Sequence, residues 1–211
     1  MIKSRAVTEI FNIVLLAMAA FWLGACPFSV WVGRWFLGKD IRDYGDGNPG
    51  AANVFRAGDV RSGLIALALD IAKGFPFVFM AYPIFGLSKV IVMSIGLSAI
   101  LGHAFSPFLR LKGGKTVATT FGVLLALPQH ELLAIFIIFI VVAFLFIEPD
   151  AWTTMFAPAG SFAYLIIAKG YSWESLFMLG VLAIFAVKQY DGLRTFPRFR
   201  IKLVRWYQSR S

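Results

Sequence analysis

Leu132-Leu-Ala-Ile-Phe-Ile-Ile-Phe-Ile-Val-Val-Ala-Phe-Leu-Phe-Ile147 is an unbroken run of apolar and aromatic side chains. A helix that is apolar all round has no face to offer water, so it belongs in a protein core or in lipid. The rest of the chain decides for lipid. Of its 211 residues 59% are hydrophobic, and the mean hydropathy is +0.78. A soluble domain is only about 45–50% apolar. Six further segments read as spans: 7–36 with a break at Pro27, 64–85, 90–109, 117–127, 151–168 and 173–187. Segment 90–109 is interrupted at Gly102-His103 and Pro107, and 117–127 is short for a bilayer. The expectation is an all-α integral membrane protein of about seven transmembrane helices, some short or broken, forming a single domain over 1–211. If 117–127 and 173–187 do not cross, five spans remain.

Charge orients the bundle. The net charge is +9 with 20 Lys and Arg. In a soluble protein that balance suggests nucleic acid. Here the cations gather between apolar runs and in the tail, as they do in cytoplasmic loops, so a nucleic-acid partner is not expected. Arg34, Lys39, Arg42, Arg56 and Arg61 follow the first run. Arg110, Lys112 and Lys115 precede the fourth, and seven more lie from Lys188 to Arg210. Only Lys3, Arg5, Lys89 and Lys169 fall on the other side, while Lys73 is inside a span. The asymmetry puts the N-terminus outside and the C-terminus in the cytoplasm, in a multi-pass protein of the cell membrane. Lys3 and Arg5 precede the first run as in a signal peptide, but that run continues too far and lacks a cleavage pattern, so it reads as retained. The basic, aromatic tail 194–211 reads as an interfacial segment on anionic lipid. One cysteine, Cys26, and two histidines offer no zinc site, so neither a metal nor a cofactor is expected.

Two cytoplasmic loops carry the chemistry. The first runs Asp43-Tyr-Gly-Asp-Gly-Asn-Pro-Gly-Ala-Ala-Asn-Val-Phe-Arg56. Gly45, Gly47 and Gly50 free the backbone and let a ligand approach it, and successive N–H groups in such a loop can cradle an anion. Asn48 and Asn53 add amides, and Arg56 adds a planar fork suited to phosphate. A tight polar turn favours the same residue types. The glycine spacing matches a dinucleotide fingerprint by letters, but no strand precedes it. The second loop ends Lys112-Gly113-Gly114-Lys115-Thr116-Val-Ala-Thr119. It lacks the first glycine and the strand of a nucleotide P-loop, yet a helix start beside a lysine still attracts anions. His103 reads either as a packing residue or as support for this loop. Asp70 and Lys73, three residues apart within a span, read as a structural pair or as site residues.

Together the loops resemble the bacterial membrane acyl-phosphate:glycerol-3-phosphate 1-O-acyltransferases of the PlsY type. That family carries G-S-G-N-x-G-A-T-N-x-x-R, matched by residues 45–56, and G-H with K-G-G-K-x-V-A-T, matched by Gly102-His103 and 112–119. The stretch Leu69-Asp70-Ile-Ala-Lys73-Gly74 belongs to the same pattern. The resemblance implies acyl transfer from a fatty acyl phosphate to the 1-hydroxyl of glycerol 3-phosphate, without an acyl-enzyme, in a monomer. It assigns Lys115, Arg56 and Asn53 to catalysis, and Asp46, at the position of the family's serine, joins them as a candidate. Gly45, Gly47, Asn48, Gly50, Lys112, Gly113, Gly114 and Thr119 hold phosphate, and His103, Asp70, Lys73, Thr154 and Gln189 support the site. Three departures stand out. Asp46 replaces the family's serine, where a carboxylate repels phosphate unless it is turned away, protonated or bridged by a cation, or serves as a general base. Ala52 replaces a threonine. The basic, serine-bearing third motif becomes Glu148-Pro-Asp-Ala-Trp-Thr-Thr154, and the His and Asn after the last span give way to a stretch that offers Gln189. A divergent acyltransferase with another acceptor or donor, or a non-catalytic lipid-binding or transport protein on this fold, are the alternatives.

Overall fold

The computed structural model describes residues 2–148 and 151–195, with side chains described from Ala6 onward. The acidic loop at Pro149-Asp150 and the tail beyond Thr195 lie outside the described residues. Eleven α-helices are described: α1 (Ile2–Ala25), α2 (Phe28–Leu37), α3 (Ala51–Ala57), α4 (Val60–Ala72), α5 (Pro76–Ala81), α6 (Lys89–Ala104), α7 (Val117–Ala126), α8 (His130–Phe146), α9 (Ala151–Lys169), α10 (Trp173–Lys188) and α11 (Tyr190–Leu193). Every apolar run of the sequence is mainly helix, but 64–85 is split at residues 73–75 into α4 and α5 and ends in turns at 82–85, and 90–109 is α-helical only to Ala104. Among the described residues four stretches are long and apolar enough to cross a membrane: Ala6–Leu37, Val60–Ala81, Lys89–Leu109 and Ala151–Lys169. The run that decides the class, α8, is shorter, about 26 Å at 1.5 Å per residue.

The chain divides into two compact units, Met1–His130 and Glu131–Ser211. In the first, α1 packs on α6 and α4 packs on α2, α3 and α7. Bare backbone makes two of these contacts. A Cβ on Gly102 would run into the Phe21 carbonyl, and one on Gly122 into the Ile71 carbonyl. Lipid supplies no hydrophobic drive between helices, so close backbone approach through small residues is the usual way to join them. The outward side of α1 keeps Val7, Ile10, Phe11, Val14, Leu15, Met18 and Trp22 exposed, a surface only lipid tolerates.

Pro27 breaks the first run between α1 and α2, as the sequence predicts, and leaves carbonyls without helical partners. Lys73 donates to the Cys26 carbonyl at 2.9 Å, and Ser106 donates to the Ala25 carbonyl at 2.6 Å. Lys73 also pairs with Asp70 at 2.7 Å, both fully buried, and Ser29 donates to the other Asp70 oxygen at 2.5 Å. The charges inside the span are therefore a paired device that closes a broken helix.

In the second unit α9 packs on α10, with α11 against both. The rings of Phe139 on α8 and Phe156 on α9 meet edge to face at 5.9 Å. Lys169 pairs with Glu131.

Candidate active site

The stretch 43–56 is not one loop. Its first half turns: Gly45 and Gly47 take φ of 59° and 70°, and the Gly47 N–H closes a turn on the Tyr44 carbonyl at 3.1 Å. Its second half is helix, with Gly50 as N-cap of α3. Ala51, Val54 and Ala57 lie on one side of α3, buried with Val30, Val32, Ile41 and Ala66. That anchorage fixes the neighbouring stripe, Asn53 and Arg56, three residues apart.

These side chains converge on Asp46. Asn53 donates through Nδ2 to Asp46 Oδ1 at 3.0 Å and to the Asn48 carbonyl at 2.9 Å, and its own Oδ1 accepts from Arg56 Nη1 at 2.7 Å. The Asn48 N–H donates to Asp46 Oδ1 at 3.2 Å. Arg56 Nη1 lies 3.7 Å from that oxygen, and Lys115 Nζ lies 2.8 Å from Oδ2. Asn53 is fully buried, whereas Asp46, Arg56 and Lys115 remain part exposed, at 41%, 49% and 32% of the side chain. Hence the amide is the fixed hub and the charges are reachable by a ligand. Burial pushes the Asp46 carboxyl up, but the Lys115 hydrogen bond and charge, with the Asn48 and Asn53 donors, outweigh it and leave the carboxyl below its ordinary value. Asp46 is thus bridged by the protein's own cations, Lys115 and Arg56.

Gly45 is obligatory here for two reasons. Its φ is positive, and a Cβ would lie 2.5 Å from Asn53 Oδ1 and 2.7 Å from Arg56 Nη1. Lys115 is held by the second motif. Gly114 N–H donates to the His103 carbonyl at 3.2 Å, and a Cβ on Gly113 or Gly114 would strike that residue's backbone or ring. His103 at the end of α6 is therefore the bed on which the Gly113-Gly114 turn rests. After Lys115, Thr116 takes φ of 68°, which a β-branched residue rarely adopts. Its hydroxyl donates to the Lys115 carbonyl at 2.7 Å, and the residue is buried as the N-cap of α7. Strain held this way, beside a charged group, is typical of functional sites. The sequence pattern gave no signal for Thr116 beyond its place after Lys115.

A family model described as glycerol-3-phosphate acyltransferase matches residues 14–194. The chain belongs to the glycerol-3-phosphate acyltransferase family. The family member from Lactococcus lactis subsp. lactis (strain IL1403) is 41% identical over 135 residues, 64% of this chain, and the match spans 63% of the relative, under two thirds of its length. The one from Streptococcus pyogenes serotype M5 (strain Manfredo) is 31% identical over 202 residues, 92% of this chain and 94% of the relative. A solved structure, PlsY (YgiH), described as an integral membrane glycerol 3-phosphate acyltransferase in its glycerol 3-phosphate form, matches with a TM-score of 0.77 and 27% identity. It covers 86% of this chain and 90% of that one. The fold is accordingly an all-helical integral membrane fold.

Within this acyltransferase-family fold, Asp46, Asn48, Asn53, Arg56 and Lys115 come together, and His103, Gly113 and Gly114 support them. The other expected residues have partners of their own or are exposed. Thr119 is fully buried and donates to the Asp70 carbonyl at 3.1 Å, because the first turn of α7 presses against α4. Lys112 is exposed, without an ion pair among the described residues. Asp70 and Lys73 serve the Pro27 break. In the second unit Thr154 donates to Gln189 Oε1, so the two expected supports bind each other.

Proposed function

We propose that this protein transfers a fatty acyl group from an acyl phosphate to the 1-hydroxyl of glycerol 3-phosphate, giving lysophosphatidic acid and phosphate. The supporting observation is the convergence of Lys115 and Arg56, from two segments far apart in sequence, on a single anionic group. Two reachable cations around one anion-sized position suit substrates that both carry phosphate. The hydroxyl oxygen attacks the acyl carbonyl carbon and an ester C–O bond forms. The bond from that carbon to the phosphate oxygen breaks, the electron pair leaves on phosphate, and the hydroxyl proton passes to solvent or to the departing phosphate. The donor is already activated, so no acyl-enzyme is needed. Lys115 and Arg56 hold phosphate and offset the charge gathering on the leaving group. Gly45, Gly47, Asn48 and Gly50 shape the cradle, and Asn53 fixes Arg56 within it. The site faces the cytoplasm of a multi-pass monomer and uses neither metal nor cofactor.

Purified protein given palmitoyl phosphate and glycerol 3-phosphate should release inorganic phosphate only when both are present. Folded protein that releases none in an acceptor-dependent way would exclude this reaction. A second reading follows from Asp46 standing where the family has serine: the same transfer to a different acceptor, which a panel of glycerol, other polyols and sugar phosphates would expose.

A further inference from the structure

We propose that Asp46 is a tethered anion that occupies the phosphate position between Lys115 and Arg56 in the substrate-free protein, so that phosphate enters only by displacing it. The inference rests on the acyl-transfer reading for its consequence, the easy release of product phosphate, but its geometry stands alone. Carboxylate and phosphate oxygens accept from the same donors at the same distances. Asp46 uses both oxygens, Oδ2 on Lys115 at 2.8 Å and Oδ1 on Asn53 at 3.0 Å with Arg56 at 3.7 Å. A ligand phosphate that uses Lys115 and Arg56 must therefore take contacts Asp46 now holds. The side chain can leave. It is 41% exposed, and it sits between Gly45 and Gly47, both at positive φ, where the backbone is least restricted.

The charge count gives the arrangement its effect. Two cations with one carboxylate carry a net single positive charge, too little to neutralise a dianionic phosphate while the carboxylate stays beside it. Asp46 is thus a positioning residue: it keeps Lys115 and Arg56 aligned when the site is empty and competes with phosphate when the site is full. With both oxygens engaged by donors, it is poorly placed to act as a base. A ligand that binds only the displaced state loses apparent affinity by the fraction of that state. For a part-exposed pair that factor is about fivefold.

Inorganic phosphate binding to the purified full-length protein in detergent, measured by calorimetry, tests this without turnover. Asp46→Asn and Asp46→Ser should each lower the dissociation constant about fivefold, and Asp46→Glu, which keeps the charge, should leave it near the wild-type value. In the acyl phosphate assay the inhibition constant for product phosphate should fall by the same factor. Unchanged or weaker phosphate binding in both neutral variants overturns the proposal, and so does equal tightening by Asp46→Glu. Unaltered elution and melting temperature establish that each variant is folded. If Asp46→Asn fails that check, Asp46→Ser, which restores the family's residue, carries the comparison. Wild-type protein inert toward acyl phosphate would sink the reaction and leave the phosphate titration to decide the role of Asp46.

Discussion

In the proposed reaction, replacing Arg56 or Lys115 by alanine removes a cation from the position where phosphate charge develops. Each change should cut turnover at least about a hundredfold, the size of effect seen when a preorganised charge donor is lost. Steady-state phosphate release from variants with wild-type melting temperatures measures it, and near-full activity in both would show that the site is elsewhere. Asp46 should respond to pH in a defined direction. Its folded-state carboxyl lies below the ordinary value, so the stability it contributes is complete above the unfolded value of about 4 and is lost only as pH falls through the lower folded value. The difference in melting temperature between wild type and Asp46→Asn should therefore stay constant from about pH 7 to pH 5 and shrink below about pH 4. A difference already fading at pH 6 would contradict the downward shift. The sequence exposes these charged residues but not their pairing: glycine spacing says a ligand can approach, whereas the meeting of residues 46 and 115 is a tertiary fact.

At the scale of elements, the apolar runs were legible because lipid-facing helices need no polar stripe, and the break at Pro27 followed from its missing N–H. The helix α3 was not legible. Gly-Asn-Pro-Gly is turn chemistry, and the seven residues that follow are too few to show a period. The intramembrane pair Asp70–Lys73 could be read as a pair but not assigned a purpose, since the Cys26 carbonyl reaches it only through folding. That purpose makes a prediction. Lys73→Met strands the Asp70 carboxylate in a buried site and exposes the Cys26 carbonyl to an apolar partner. It should cost about 3–5 kcal/mol, the usual penalty for breaking a buried pair. Adding Asp70→Asn should recover most of that loss, because no unpaired charge remains. Chemical or thermal unfolding in detergent compares the three proteins, and a double variant no better than Lys73→Met would assign the loss to the open helix end instead.

For the whole molecule, the unequal distribution of Lys and Arg demands an odd number of crossings if its two groups lie on opposite sides of the membrane. The helices long enough to cross number four among the described residues, so sidedness depends on how the shorter helices, Val117–Ala126, His130–Phe146 and Trp173–Lys188, are used. In the seven-span arrangement Lys112 faces the cytoplasm, and Tyr171, just after α9 and almost fully exposed, faces the outside. Two single-cysteine proteins separate the possibilities. In a Cys26→Ala background, Lys112→Cys should resist a membrane-impermeant maleimide applied to intact cells and react once the membrane is opened. Tyr171→Cys should react in intact cells. Both cysteines reacting from outside would place the Lys112–Lys115 loop on the wrong side for the proposed reaction with cytosolic glycerol 3-phosphate. Both protected would put 112 and 171 on one side, which requires an even number of crossings between them. That result would remove one of α7, α8 and α9 from the set of spans, and the shortest, α7, is the first to lose its place, becoming a half-helix that carries Lys115 at its start.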